Sequence, residues 1–167
     1  MKKLARLTAL LLTGVMLLLL ASCGAAPLTS EQRARQEIFN AINEVRRKAG
    51  KSSLREDSKL TQLEQEFIEN YRKAGTNGIP KSEASELEEE LYNKQKEAGW
   101  QLTGGIAYSY FEGSTKLSHV YEGNNEAFRN ELSVFISVED ASTALSIGVV
   151  TIEGEIYWTA TTLKPIT

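Results

Sequence analysis

Only one cysteine and one histidine occur among the 167 residues of this chain. A single thiol excludes a disulfide framework and a cysteine-rich metal site, so the fold must rest on an ordinary apolar core. A lone histidine, His119 in "KLSHVYEG", needs an orienting partner before it can do acid–base work, and no nucleophile stands at a telling spacing from it. Nucleophile elbows, phosphate loops and metal-ligand spacings are all missing, as are repeats and low-complexity segments. The short stretches "GTNG" and "LTGG" read as turns. No metal and no cofactor is therefore expected.

The chain does have a strongly organised beginning. Lys2, Lys3 and Arg6 precede an uncharged apolar stretch from Leu7 to Leu20, followed by the small residues Ala21 and Ser22, the layout of a secretory signal peptide. A membrane-spanning helix needs about 20 apolar residues, and this stretch is shorter and interrupted by Thr8, Thr13 and Gly14. The tetrad Leu20-Ala21-Ser22-Cys23 resembles the bacterial lipobox. That resemblance implies cleavage before Cys23 and a diacylglyceryl group on its thiol, a reaction suited to the most nucleophilic side chain in the chain. Cleavage near Ala26 with loss of Cys23 is the competing reading. The resulting expectation is a signal segment over 1–22, a lipidated tether over 23–28 and one domain over 29–167, held by its acyl chains on the extracytoplasmic side of a bacterial cell membrane. The tether from Gly24 to Leu28 reaches roughly 17 Å when extended, which keeps the domain near the headgroups.

Loss of residues 1–22 removes three basic residues and no acidic ones, leaving 16 basic against 22 acidic and a net charge of −6. Such a domain is repelled by phosphate backbones, so no nucleic-acid partner is expected.

Helical periodicity dominates the first half. Thr29 and Gln32 stand at capping-box spacing before Ile38, Ile42, Val45 and Ala49, and the helix closes with Arg46, Arg47, Lys48 and Gly50. Asp57 caps a second helix whose apolar stripe is Leu60, Leu63, Phe67, Tyr71 and Ala74, with Gly75 ending it. In "SEASELEEELYNKQKEAG" a narrow face of Leu87, Leu91 and Ala98 is set against Glu86, Glu88, Glu89 and Glu90, which read as a solvated face. After Gly99 strand formers take over. "GIAYSYF" alternates as one strand, and "ALSIGVVTI" pairs with "EIYWTATTL" across Glu153-Gly154. Both faces of that hairpin are apolar or β-branched, so helices should cover both. Trp158 should be buried at the centre of the sheet. With a short helix around Glu126 to Leu132, the expected class is α+β, a three-layer α-β-α sandwich with a mostly antiparallel sheet.

Several segments resemble the SCP-like or CAP superfamily of cysteine-rich secretory proteins, antigen 5 and plant pathogenesis-related proteins. They are "AINEVRRKAGKSSLREDSKLTQLEQEFIENYRKAG", with Asn43, Arg46, Gly50, Leu54, Asp57 and Leu60 in matching places, "AGWQLTGGIAYSY" and "ALSIGVVTIEGEIYWTATT". The resemblance implies a central cleft. In the family that cleft commonly carries two histidines and two acids, but here the glutamate of "GENIA" falls on Gly104 and the helix expected to carry "GH" has no histidine. Phe128-Arg129-Asn130-Glu131 resembles the family's "W-x-N-E", so Glu131 is the one cleft acid carried over. Tyr108, Tyr110 and His119 complete the candidate cleft, and Tyr108, Tyr110 and Trp158 read either as walls of a groove for an apolar or sugar ligand or as core aromatics. The expected function is a membrane-anchored binding or interaction module without catalysis, engaging a lipid, a cell-wall component or a protein. An envelope hydrolase using Glu131 and His119 is the alternative.

Overall fold

The computed structural model describes residues 27–106, 108–111, 113–138 and 141–167, with backbone alone at 106, 108, 110 and 111. The signal segment and Cys23 lie outside the described residues.

Helix α1 (Ser30–Lys48) starts at the expected capping box, Thr29 accepting from the Gln32 backbone while the Gln32 side chain accepts from the Thr29 backbone. It buries Ala34, Ile38, Ala41 and Ile42. The stripe does not run on to Ala49, which is exposed. Arg46 is buried in its place, its Nε donating to the Ser52 carbonyl at 2.9 Å and its Nη1 to the Phe135 carbonyl at 2.7 Å. Carbonyl acceptors make the guanidinium tolerable there, and its methylene stem packs as an apolar chain does.

Short strand β1 (Arg55–Glu56) leads into helix α2 (Ser58–Ala74), capped by Asp57, which accepts from the Lys59 and Leu60 backbones at 3.0 Å each. The buried face of α2 holds Leu60, Phe67, Ile68 and Tyr71, and also Thr61 and Glu64. Strand β2 (Ile79–Pro80) precedes helix α3 (Lys81–Glu97), whose fully buried residues are Ala84 and Gln95, with Leu87 and Leu91 half-buried. Strands β3 (Trp100–Ile106), β4 (Tyr108–Phe111) and β5 (Ser114–Leu117), helix α4 (Glu126–Glu131) with a 3-10 turn over Leu132–Ile136, and strands β6 (Ala144–Ile152) and β7 (Glu155–Pro165) complete the order.

The main sheet runs β1-β6-β7-β3, with β1 parallel to β6 and the other pairs antiparallel. The hairpin has the expected register, Ile152 facing Glu155 and Val149 facing Trp158. Glu153 and Gly154 both have positive φ, 51° and 90°, the backbone of a two-residue turn whose twist matches its strands. Strand β6 is buried on both faces. Leu145, Ile147 and Val149 join Ile38, Ile42, Leu132 and Phe135 on one side, while Val150 and Ile152 join Phe67, Ile68 and Tyr71 on the other. The α2 backbone comes so close that a Cβ on Gly148 would lie 2.8 Å from the Glu64 carbonyl oxygen.

Beyond β1 the edge of β6 is completed by helix side chains. The Gln65 amide donates to the Val149 carbonyl at 2.8 Å and accepts from its N–H at 3.0 Å, and Glu31 accepts from the Thr151 N–H at 2.8 Å. These bonds close an edge that would otherwise invite strand pairing.

Two expectations need correction. "GIAYSYF" is not one strand: β3 leaves the main sheet at Ile106, and β4 pairs instead with β5 in a second sheet of order β2-β5-β4. The cause is occupation of the next stretch of β7, where the backbone N–H of Trp158 donates to the His119 carbonyl at 3.0 Å and the backbone N–H of Tyr121 donates to the Ile156 carbonyl at 2.7 Å. "LTGG" is not a turn either, but lies within β3 across a register shift between Leu102 and Gly104. Among the described residues the architecture is thus α+β, four helices packed against a mixed four-stranded sheet with a smaller sheet beside it.

Candidate functional site

His119 and Glu131, twelve residues apart, meet in space. The strand-like bridge of Val120 to Tyr157 fixes the histidine against β7. Asn125 caps α4 by accepting from the Phe128 backbone at 2.9 Å, and buried Phe128 anchors that helix, bringing Glu131 to its end. Glu131 Oε2 lies 3.3 Å from His119 Nδ1, and the pair is half-exposed, at 41% and 22% of the side chains. The imidazole lies 5.6 Å from the indole of Trp158, which meets Phe128 edge-on, and Phe128 in turn meets Tyr121 edge-on. The Tyr121 hydroxyl donates to Glu37, and burial together with that carboxylate pushes the phenol well above its ordinary range. A carboxylate beside Nδ1 orients an imidazole for proton transfer. Among the described residues, however, no hydroxyl or thiol hydrogen-bonds to either member, and no three potential ligands gather as a metal site. The side chains of Tyr108 and Tyr110, the other two cleft candidates, lie outside the described residues.

A second feature lies on the α2 face of the sheet and involves residues that sequence reading passed over. Glu64 is fully buried with no cation against it. Its carboxyl accepts from Thr159 Oγ1 at 2.8 Å, Thr161 Oγ1 at 2.8 Å and Ser146 Oγ at 3.1 Å. Ser146 and Thr161 also bond each other at 2.6 Å. Burial raises the Glu64 pKa, and the three hydroxyl bonds offset only part of that.

Glu64 and Thr161 of this network line a cavity of about 340 Å³ between α2, α3 and the sheet. Phe67, Leu91, Tyr92 and Leu102 give it apolar walls, and Gln95 also lines it. Gln95 is buried, and its Nε2 has no hydrogen-bond partner. Tyr92 and Leu102 are each 41% exposed, so two large apolar side chains are left partly wet where the cavity meets solvent. The signal for this site was present as a flaw in periodicity. Glu64 stands four residues after Leu60 and three before Phe67, and Gln95 four after Leu91, so each interrupts an apolar stripe.

No protein-family model matches the chain, and no curated protein matches it.

Proposed function

We propose that this protein is a lipid-anchored binding module on the extracytoplasmic side of the bacterial cell membrane, CAP-like and without catalysis, that holds a lipid or cell-wall component. The cavity beside Glu64 and Gln95 is the observation that carries the reading. Its volume lies at the lower end of the range of about 300–1,000 Å³ typical of ligand sites, and apolar walls with a few buried polar groups are the usual makeup of such sites. The lipobox-like tetrad supports the anchor. The CAP-like assignment is supported by the run of helices joined through Gly50 to Asp57 and by the closing hairpin of β6 and β7.

The full chain in lipid nanodiscs should melt at a higher temperature when an organic extract of the envelope is added, because a ligand that binds only the native state stabilises it by mass action. Leu102→Glu, which puts a charge on an exposed wall of the cavity, should abolish the shift. Equal shifts in parent and variant would remove the cavity from the binding reading. For the anchor, Cys23→Ala should abolish labelling by a fatty-acid probe and release or mislocalise the protein. Label persisting on that variant would rule out lipidation at Cys23.

A second reading, an envelope hydrolase, is favoured by the 3.3 Å contact of His119 with Glu131. It needs Glu131 and His119 to act as an acid–base pair, a task that ordinarily calls for two titratable groups held in contrasting environments.

A further inference from the structure

Resting on the binding reading, we infer that the cavity between α2 and α3 selects an uncharged amphiphile, an apolar body carrying a hydrogen-bond acceptor that pairs with the amide of Gln95, and that it rejects anionic lipids and fatty acids. Three observations converge on this class. The walls Phe67, Leu91, Tyr92 and Leu102 supply apolar contact, and Tyr92 and Leu102 are large apolar side chains left partly exposed. The lining contains three carboxyl groups, Glu64, Glu88 and Glu89, and no lysine, arginine or histidine. A carboxylate or phosphate entering this space would lose its hydration, find no cationic side chain in the lining to replace it and lie near the carboxyl groups of Glu88 and Glu89, so anions are disfavoured. Finally, Gln95 Nε2 is a buried donor without an acceptor, the one polar need that the cavity's own network leaves unmet. Glu64 accepts from Thr159, Thr161 and Ser146, and no hydrogen bond joins it to Gln95 among the described residues. The terminal torsion of a glutamine is soft and roughly two-fold, so a small rotation presents the amide N–H to a ligand carbonyl.

Gln95 thus acts as the polar anchor and the carboxyl groups as the filter against charge.

The test uses three matched fluorescent naphthalenes: 2-acetyl-6-dimethylaminonaphthalene, neutral with a carbonyl acceptor; 6-dimethylamino-2-naphthoate, its anionic counterpart; and 2-dimethylaminonaphthalene, which lacks the carbonyl. Each is titrated into the full chain in nanodiscs, with empty nanodiscs as reference. The ketone should bind at least about tenfold more tightly than the carboxylate. Gln95→Leu should weaken the ketone by about tenfold and leave the carbonyl-free probe unchanged, the loss expected for one hydrogen bond. Gln95→Leu replaces an unsatisfied buried amide by an apolar group of similar size, so the variant is expected to fold at least as stably as the parent. A carboxylate that binds as tightly as the ketone, or a ketone indifferent to Gln95→Leu, overturns the ligand class while leaving a binding cavity in place. Absence of binding by all three probes overturns the cavity as a binding site and the ligand class with it.

Discussion

Trp158→Ala should lower the free energy of unfolding by about 3–5 kcal/mol, the range for truncating a large core aromatic. The side chain is fully buried at the middle of β7, opposite Val149, on the face that carries Phe128 and His119. Its indole Nε1 is buried without a hydrogen-bond partner, so what is lost is packing, and no acceptor is stranded by the change. The cost arises because a cavity lined by Phe128 and the core residues of β6 cannot collapse while both strands are held by their ladder. Glu131→Gln is the companion. Its side chain is 41% exposed, so stability should change by less than about 0.5 kcal/mol, as for other surface substitutions. Chemical denaturation reads both. A Trp158→Ala midpoint equal to that of the parent would mean that the hairpin is peripheral to stability. The same Glu131→Gln protein judges the hydrolase reading, because envelope hydrolysis undiminished by loss of that carboxylate would eliminate it.

Glu64 should produce the second large effect, and one that depends on pH. Glu64→Ala removes the acceptor of Thr159, Thr161 and Ser146 and opens a void. Ser146 and Thr161 retain each other, so the stranded hydroxyl is that of Thr159, and the expected loss is about 2–4 kcal/mol. Glu64→Gln keeps the shape. The folded pKa of Glu64 is raised by burial above the value of 4.5 that it takes when unfolded. Below that value both states hold the proton, and the stability contributed by the network is fully present. As pH rises past it toward the folded pKa, the unfolded chain gives up its proton first, so unfolding is favoured and stability is lost. The glutamine variant has no proton to lose at this position. The stability difference between Glu64→Gln and the parent should therefore move in favour of the variant as pH climbs from about 4.5 toward neutrality, with denaturation midpoints as the readout. Taking the difference cancels the other titrating carboxylates, among them Glu44 and Glu69, whose ion pairs with Lys48 and Arg72 hold their pKa values down. Parallel profiles for parent and variant across that window would contradict a buried, proton-holding Glu64.

Much of the fold was legible because it is encoded by contiguous residues. The capping box of Thr29 and Gln32, the Asp57 cap, the stops at Gly50 and Gly75 and the turn at Glu153-Gly154 all depend on dihedral preferences and hydrogen bonds that span three or four residues, and each stands where local chemistry places it. Apolar and β-branched residues on both faces of β6 and β7 likewise foretold helices on both faces. What only the tertiary structure decided is which polar groups become tolerable, and where, through partners that arrive from far along the chain. Helical periodicity places Glu64 on the apolar stripe of α2 but does not say what would satisfy a carboxyl group there. It becomes a buried acid because Thr159 and Thr161, 95 and 97 residues away, supply hydroxyls that offset part of its desolvation. Gln65, its neighbour, serves instead as a substitute strand for Val149. Residues 105–106 and 108–111 fall in two different sheets because residues 119–121 occupy the next stretch of the β7 edge. Local rules set the elements, since the energies concerned lie within one turn or one pair of residues. The site depends on desolvation, whose sign turns on the company a group keeps, and in this chain that company is assembled only by folding.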